Sequence, residues 1–367
     1  MNTLLAIAFP ILALATMFAA VWFVETRLIA TFGIKRTALF RTVIFGFFIA
    51  VNVSLSFFDK SSNSVLGAFY VIGGVSFMFL VYLTFSFILV KVVEFVWKVP
   101  AFWSGVTVLA LTSLVISYGI LAARTFQVNE VEIKISGLEK PVTIMHMPDI
   151  HIGHHRGRAY LKKIVDETNV RSPDIVAING DLLDAATALE PGVLEPLSEF
   201  KAPAYYTGGN HENYVDAKRV QEIVAEHGVR VLRNEVVDIN GIQLVGLNYM
   251  KPDDETFDLH PSEGTESIKS VVPTLSLKDN APKILLHHSP VGAQYVEARG
   301  IDLMLSGHTH GGQVFPQTIL GSLIYKFNRG LYKLGNLQIF VSQGAGTFLV
   351  PLRIGSSNEI NLIKLVP

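Results

Sequence analysis

Gly307-His308-Thr309-His310-Gly311-Gly312 sets two histidines one residue apart between glycines. The run before it, Ile301-Asp302-Leu303-Met304-Leu305-Ser306, reads as a buried strand. The glycines let the backbone turn sharply and approach a neighbour closely. Side chains at i and i+2 of an extended segment share a face, so both imidazoles can enter one pocket at a strand end. Such a pair suggests metal ligands. The plainer alternative is two solvated loop histidines.

The preceding chain decides between these. Val142 to His146 reads as a strand and leads to Asp149-Ile150-His151 and Gly153. Arg158 to Thr168 reads as a helix with Leu161, Ile164 and Val165 on one side. Asp174 to Asn179 is a second strand, ending in Gly180-Asp181-Leu182-Leu183-Asp184. Ala204 to Tyr206 is a third, ending in Gly208-Gly209-Asn210-His211-Glu212, with a helix from about Val215 to His227. Ile242 to Leu247 and Lys283 to His287 continue the series, the latter ending in His287-His288-Ser289-Pro290. Strands alternating with helices argue for a layered α/β domain. The tail, Leu331 to Leu365, has short strand-like runs and no clear helix, which suggests a second sheet packed on the first. Ligands of α/β sheets gather at the carboxyl ends of strands. Five strand ends here carry Asp, His or Asn beside Gly or Pro, all expected at one edge of a sheet. Each alone has a structural explanation: Asp184 as a helix cap, Asn210 as a turn former. Five in order point to a metal site.

The chain has 367 residues, no cysteine and a formal net charge of −1. Thiolate sites, disulfides and cysteine nucleophiles are excluded, and nothing electrostatic favours nucleic acid. Charge is scarce in residues 1–120, which carry three acids and seven bases. Uncharged runs at 3–24, 42–58, 61–90 and 99–123 approach or exceed the roughly 20 residues needed to span a bilayer. The division expected is a four-helix transmembrane domain over 1–124, with spans at about 3–24, 38–58, 64–90 and 101–123, and a catalytic domain over 125–367. Arg41 is expected to snorkel at the end of the second span. Arg27, Lys35, Arg36 and Arg41 against Glu25 in the first loop, and Lys91 and Lys98 against Glu94 in the third, place those loops in the cytoplasm. Four spans then put the catalytic domain outside, at the plasma (inner) membrane.

The blocks D-x-H, G-D-x-x-D, G-N-H-[DE], a strand-end His and G-H-x-H resemble the calcineurin-like metallophosphoesterase family over about residues 140–367. Gly311-Gly312-Gln313, Gly330-Leu331-Tyr332 and Val341-Ser342-Gln343-Gly344-Ala345-Gly346 are similar to its membrane-anchored branch. The resemblance implies a four-layer β-sandwich flanked by helices and two divalent metal ions. It implies that Asp149, His151, Asp181 and His310 hold one ion. Asp181, Asn210, His308 and one of His287 and His288 would hold the other, with Asp181 bridging. His211 would be the catalytic histidine near the leaving group. Pro148 departs from the serine usual there, and altered loop geometry is expected.

His287 and His288 alternate faces of their strand. His288, two residues before Pro290, has the family spacing. An N/O donor set without thiolate suits Mn²⁺, the first choice, as well as Fe or Zn²⁺. Two carboxylates against two divalent ions leave positive charge for a bridging hydroxide and a phosphate oxygen. Asp184 could orient His211 through its second ring nitrogen. His154, His155, Arg156 and Arg158 read either as a phosphate-binding group or as a solvated loop. The expected function is a membrane-anchored phosphodiesterase acting by attack of a metal-bridging hydroxide, on a substrate in or near the bilayer such as a lipid or lipid-linked phosphate. The alternatives are a membrane sensor or scaffold whose metal domain binds without hydrolysing, and a transporter with an attached hydrolase. The transporter ranks last because the spans show no acid or base. Oligomeric state is left open.

Overall fold

The structure, a computed structural model, describes residues 3–35, 37–38, 41–42, 45–46, 62–256, 260, 262 and 264–367. The chain divides into two compact units, one built on the N-terminal helices and one holding Ala122–Phe348 and Arg353–Pro367.

In the first unit, α1 (Thr3–Phe32), α2 (Ser64–Glu94) and α3 (Ala101–Ala123) are the described helices long and apolar enough to cross a membrane. The expected second span, 38–58, lies largely outside the described residues. Two readings are corrected by α1. It does not stop at residue 24 but runs to Phe32, where Gly33 at φ 66° ends it, a conformation glycine adopts without strain. Its apolar stretch Leu14–Phe32 therefore includes Glu25 and Arg27, so the spans are not free of acids and bases. Arg41 does not simply reach for the interface: its Nε donates to the buried Glu25 carboxylate at 2.9 Å.

The second unit contains twelve strands among the described residues: β1 Gln127–Lys134, β2 Val142–His146, β3 Ile175–Asn179, β4 Ala204–Thr207, β5 Arg230–Val231, β6 Glu235–Ile239, β7 Ile242–Gly246, β8 Lys283–Leu286, β9 Leu303–Ser306, β10 Gly330–Leu334, β11 Leu337–Val341 and β12 Glu359–Val366. They form two six-stranded sheets, ordered β1-β12-β2-β3-β4-β5 and β10-β11-β9-β8-β7-β6. The tail does not supply the second sheet alone. β10 and β11 join it, but β12 returns to the first sheet between β1 and β2.

Period-two alternation builds four layers. Ile144, Ile175, Ala177, Ile284, Leu286, Leu303 and Leu305 meet in one core between the sheets. Their strand neighbours Met145, Val176 and Ile178 face outward onto α4 (Arg158–Arg171), through its Leu161, Ile164 and Val165. Leu285 and Met304 face the opposite outer layer, where Val296 of α5 (Ala293–Ala298) packs. The predicted helix near 215–227 is Ala217–Glu226, started by Asp216, whose side chain accepts from the Arg219 amide. β2, β3 and β4 are mutually parallel, as are β7, β8 and β9. The five motif-bearing strand ends are therefore all carboxyl ends of parallel strands, but they come from both sheets rather than one.

Candidate metal centre

The first sheet delivers Asp149 and His151 after β2, Asp181 and Asp184 after β3, and Asn210 and His211 after β4. The second delivers His288 after β8, and His308 and His310 after β9. Non-glycine residues seldom take a positive φ, yet Asp149 (55°), His151 (53°), Asp181 (51°), His308 (70°) and His310 (51°) all do. Such strain persists only where the surroundings enforce it. Here the enforcement is backbone-to-carboxylate bonding. The His308 amide donates to both Asp149 oxygens at 3.0 Å, and the His211 amide to Asp181 Oδ1 at 2.9 Å. A Cβ on Gly209 would collide with the Asp181 carboxylate, and one on Gly307 with that of Asp149. Glycine at these two turns lets the loops close on the acids.

Asp149, His151 and His310 form one group whose donor atoms lie within 4.8 Å of one another, and Asp181, His288 and His308 form a second. Asp181 Oδ2 is 3.0 Å from His288 Nε2 in its own group and 3.8 Å from His151 Nε2 in the other. Asp149 Oδ1 is 3.4 Å from His310 Nε2 and 3.7 Å from His288 Nε2. The Nε2 atoms of His151 and His310 face each other at 3.1 Å. Asn210 Oδ1 is buried and makes no hydrogen bond, which costs stability unless something accepts its lone pairs. His288 Nδ1 donates to the Asn179 carbonyl at 2.9 Å, leaving Nε2 free of the proton in the neutral ring. This donor set fits divalent cations. His287 joins neither group: its Nδ1 bonds the Ser289 carbonyl at 2.6 Å and its ring stacks on Tyr249.

Asp184 Oδ1 faces two imidazoles, His211 Nδ1 at 3.1 Å and His151 Nδ1 at 3.2 Å. The sequence suggested the first contact but not the second.

The matching family description, calcineurin-like phosphoesterase, covers residues 142–312. An uncharacterized metallophosphoesterase of Aquifex aeolicus is 30% identical over 259 residues, 68% of this chain and 95% of that protein. The chain belongs to the calcineurin-like metallophosphoesterase family. This metallophosphoesterase is also 33% identical to an uncharacterized one of Helicobacter pylori over 246 residues, 66% of this chain and 64% of the relative. A Danio rerio transmembrane protein with metallophosphoesterase domain is 32% identical over 282 residues, 72% of this chain and 63% of that protein. The chain thus spans a little under two thirds of these last two relatives. With the three apolar helices, the Danio relative supports membrane association.

Electrostatics in the metallophosphoesterase site follow from packing charges into a buried space. Burial alone would lower His288, but the Asp181 and Asp149 carboxylates outweigh it and push it up to about 10. His211 is likewise pushed up to about 9, by Asp181 and then Asp184 against burial. Burial raises Asp149. Asp181 resists burial because His288 and His211 face it, and it stays well below the ordinary carboxylate range. His308 and His310 are held well below the usual histidine value, first by burial. Protons on His288 and His211 balance carboxylates that a divalent cation would otherwise balance.

Three residues at the site were given no role by the sequence reading. Glu212 is fully buried, and its carboxylate accepts from the Gly209, Asp181 and Leu183 amides at 2.8, 3.1 and 3.2 Å. It ties the β3 and β4 loops together. His260 lies 3.4 Å from Asn210 Nδ2 and 2.7 Å from the Tyr214 hydroxyl. Arg353, fully buried, donates to the His310 carbonyl at 2.7 Å and to the Gly346 carbonyl at 2.6 Å. The group after the first motif is divided between interior and surface. Arg156 is buried on Thr347 and the Ala123 carbonyl, and Arg158 pairs with Glu195 at the surface.

Proposed function

We propose that this chain is a metal-dependent phosphoric ester hydrolase, acting first on phosphodiesters. The observation that carries the reading is the convergence of Asp149, His151, Asp181, His288, His308 and His310 on one small volume, beside the hydrogen-bond-free Asn210 Oδ1. Asp149, His151, Asp181 and His310 would hold one divalent ion, and Asp181, Asn210, His288 and His308 the other. Mn²⁺ is the first choice. When bound, the two ions would supply a hydroxide nucleophile at neutral pH and neutralise phosphate charge. The chain's own residues do the rest. Asp181, whose Oδ2 faces imidazoles of both groups, sets the spacing between them. His211, 14% exposed at the cavity, would give a proton to the leaving oxygen. Asp184 fixes that ring through Nδ1. Positive-inside counting supports an extracytoplasmic catalytic unit at the plasma membrane.

The test is hydrolysis of bis(p-nitrophenyl) phosphate and p-nitrophenyl phosphate by the full chain. EDTA-stripped protein should be inactive and regain activity on re-addition of Mn²⁺, Fe²⁺ or Zn²⁺, with up to two ions per chain by elemental analysis. A protein that binds two ions and cleaves neither substrate would leave a binding domain without hydrolysis.

A further inference from the structure

The helix Gln317–Ile324, here α6, carries no charged residue, yet much of it faces outward. Ile319, Leu320, Leu323 and Ile324 are 62%, 42%, 80% and 72% exposed. Phe315 before it and Phe348 are also exposed. Among the described residues of this unit, only Val170 and Leu331 add to the exposed large hydrophobics. Apolar side chains concentrated at one place mark a contact, and this place is the mouth of the candidate centre. Gln317, Gly321, Ile324, Tyr325 and Phe348 line the same cavity as Asn210, His211 and His308.

That cavity has a neighbour. A groove of about 310 Å³ runs past Pro252, Pro290, Val291 and Leu334, and Ile324 and Tyr325 form its wall as well. Two residues therefore belong to both spaces: one side leads to imidazoles and the Asp181 carboxylate, the other to a mainly aliphatic, aromatic and proline surface that also holds Gln294 and Lys326. A ligand with a phosphate at one end and a hydrocarbon chain at the other matches both. The chain's three apolar helices associate it with a membrane, where such molecules are held.

We propose that the substrate is a lipid phosphoester, and that the groove behind α6 receives its aliphatic chain while its phosphate lies in the candidate centre. The inference rests on the hydrolase reading above for the phosphate end alone. The groove orients the chain, and the exposed face of α6 forms the apolar rim over which it enters.

The experiment measures binding of ethyl, butyl, hexyl and octyl phosphate below their micelle thresholds. The Mn²⁺-loaded full chain in lipid nanodiscs is titrated by calorimetry, with inorganic phosphate as the chainless reference. Affinity should rise up to about fourfold per added methylene, the equivalent of burying one CH₂. Ile324→Asp should flatten that slope, and so should Val291→Gln, since Val291 lines the same groove. Partition into the disc is the same for all three proteins, and the fitted stoichiometry absorbs any unfolded fraction. Equal slopes in wild type and both variants would overturn the proposal. So would a wild-type dimer that Ile324→Asp dissociates without changing the slope, since the patch would then belong to a second copy. Calorimetry needs no turnover. Failure to hydrolyse nitrophenyl esters would remove the hydrolase reading, whereas equal slopes with hydrolysis intact would remove this one.

Discussion

Asp181 is the residue on which the two candidate ion sites would depend together. We expect Asp181→Ala to lose both ions or nearly so, read by elemental analysis beside a circular-dichroism check of folding. Two ions retained at full activity would end its bridging assignment. His211→Ala should keep both ions and lose about 10²–10⁴-fold in rate on alkyl diesters, and much less on nitrophenyl ones, whose leaving group needs no proton. Equal losses on both would move His211 to phosphate binding. His288 carries a pH prediction. Its pKa is raised in the metal-free fold to about 10 from an ordinary value of about 6.5. The stability it adds to the metal-free protein is therefore complete below about pH 6.5 and is lost as pH rises through about 10. An ion must displace that proton, so metal uptake at pH 8 should release protons. Calorimetry in buffers of different ionisation enthalpy reads this, and heats independent of buffer would contradict it. The candidate donors were legible because each is an Asp, Asn or His beside a turn residue at a strand end. Glu212 was not, since a glutamate three residues into a helix start reads as a cap. His260 sits in a loop without period, and Arg353, between leucine and isoleucine, gave no sign that its guanidinium would be buried.

At the scale of elements, the turns fix how closely the loops approach. Gly209→Ala should cost about 1–3 kcal/mol, as overpacking does, because its Cβ has no room beside Asp181. Thermal unfolding and metal content together check this, and an unchanged Tm with two ions bound would show that the turn can give way. β2, β3, β4, β7, β8 and β9 were readable as short apolar runs ending in turn residues, and α4 from its Leu161, Ile164 and Val165 stripe, whereas β1, β5 and β6 were not named. The helix α6 was not, because its eight residues are too few to establish a period of 3.6. The return of β12 to the first sheet was not readable either. It pairs with residues more than two hundred positions earlier, and a strand's own composition does not name its partner. The end of α1 was misplaced because charge was taken as a stop, whereas Glu25 finds Arg41 and the helix continues to the first glycine in left-handed conformation.

For the whole molecule, the topology proposal is open to a direct test. A reporter active only outside the cytoplasm should work when fused after residue 124 and fail when inserted near Lys35. Activity in the opposite pattern would turn the catalytic unit to the cytoplasmic side and redirect the search for substrate. The architecture has one more implication. The candidate donors are divided between the sheets, with Asp149, His151, Asp181 and Asn210 from the first and His288, His308 and His310 from the second. Each proposed ion therefore bonds to both halves of the sandwich and works as a cross-link that only the assembled fold can make. By mass action, each ion at a thousand times its dissociation constant would add about 4 kcal/mol of stability. A chelator should then loosen more than the catalytic loops. Amide hydrogens along β3 and β9, strands that meet ions from opposite sides, should exchange faster together when the metal is withdrawn, as two boards do when the bolt between them is drawn.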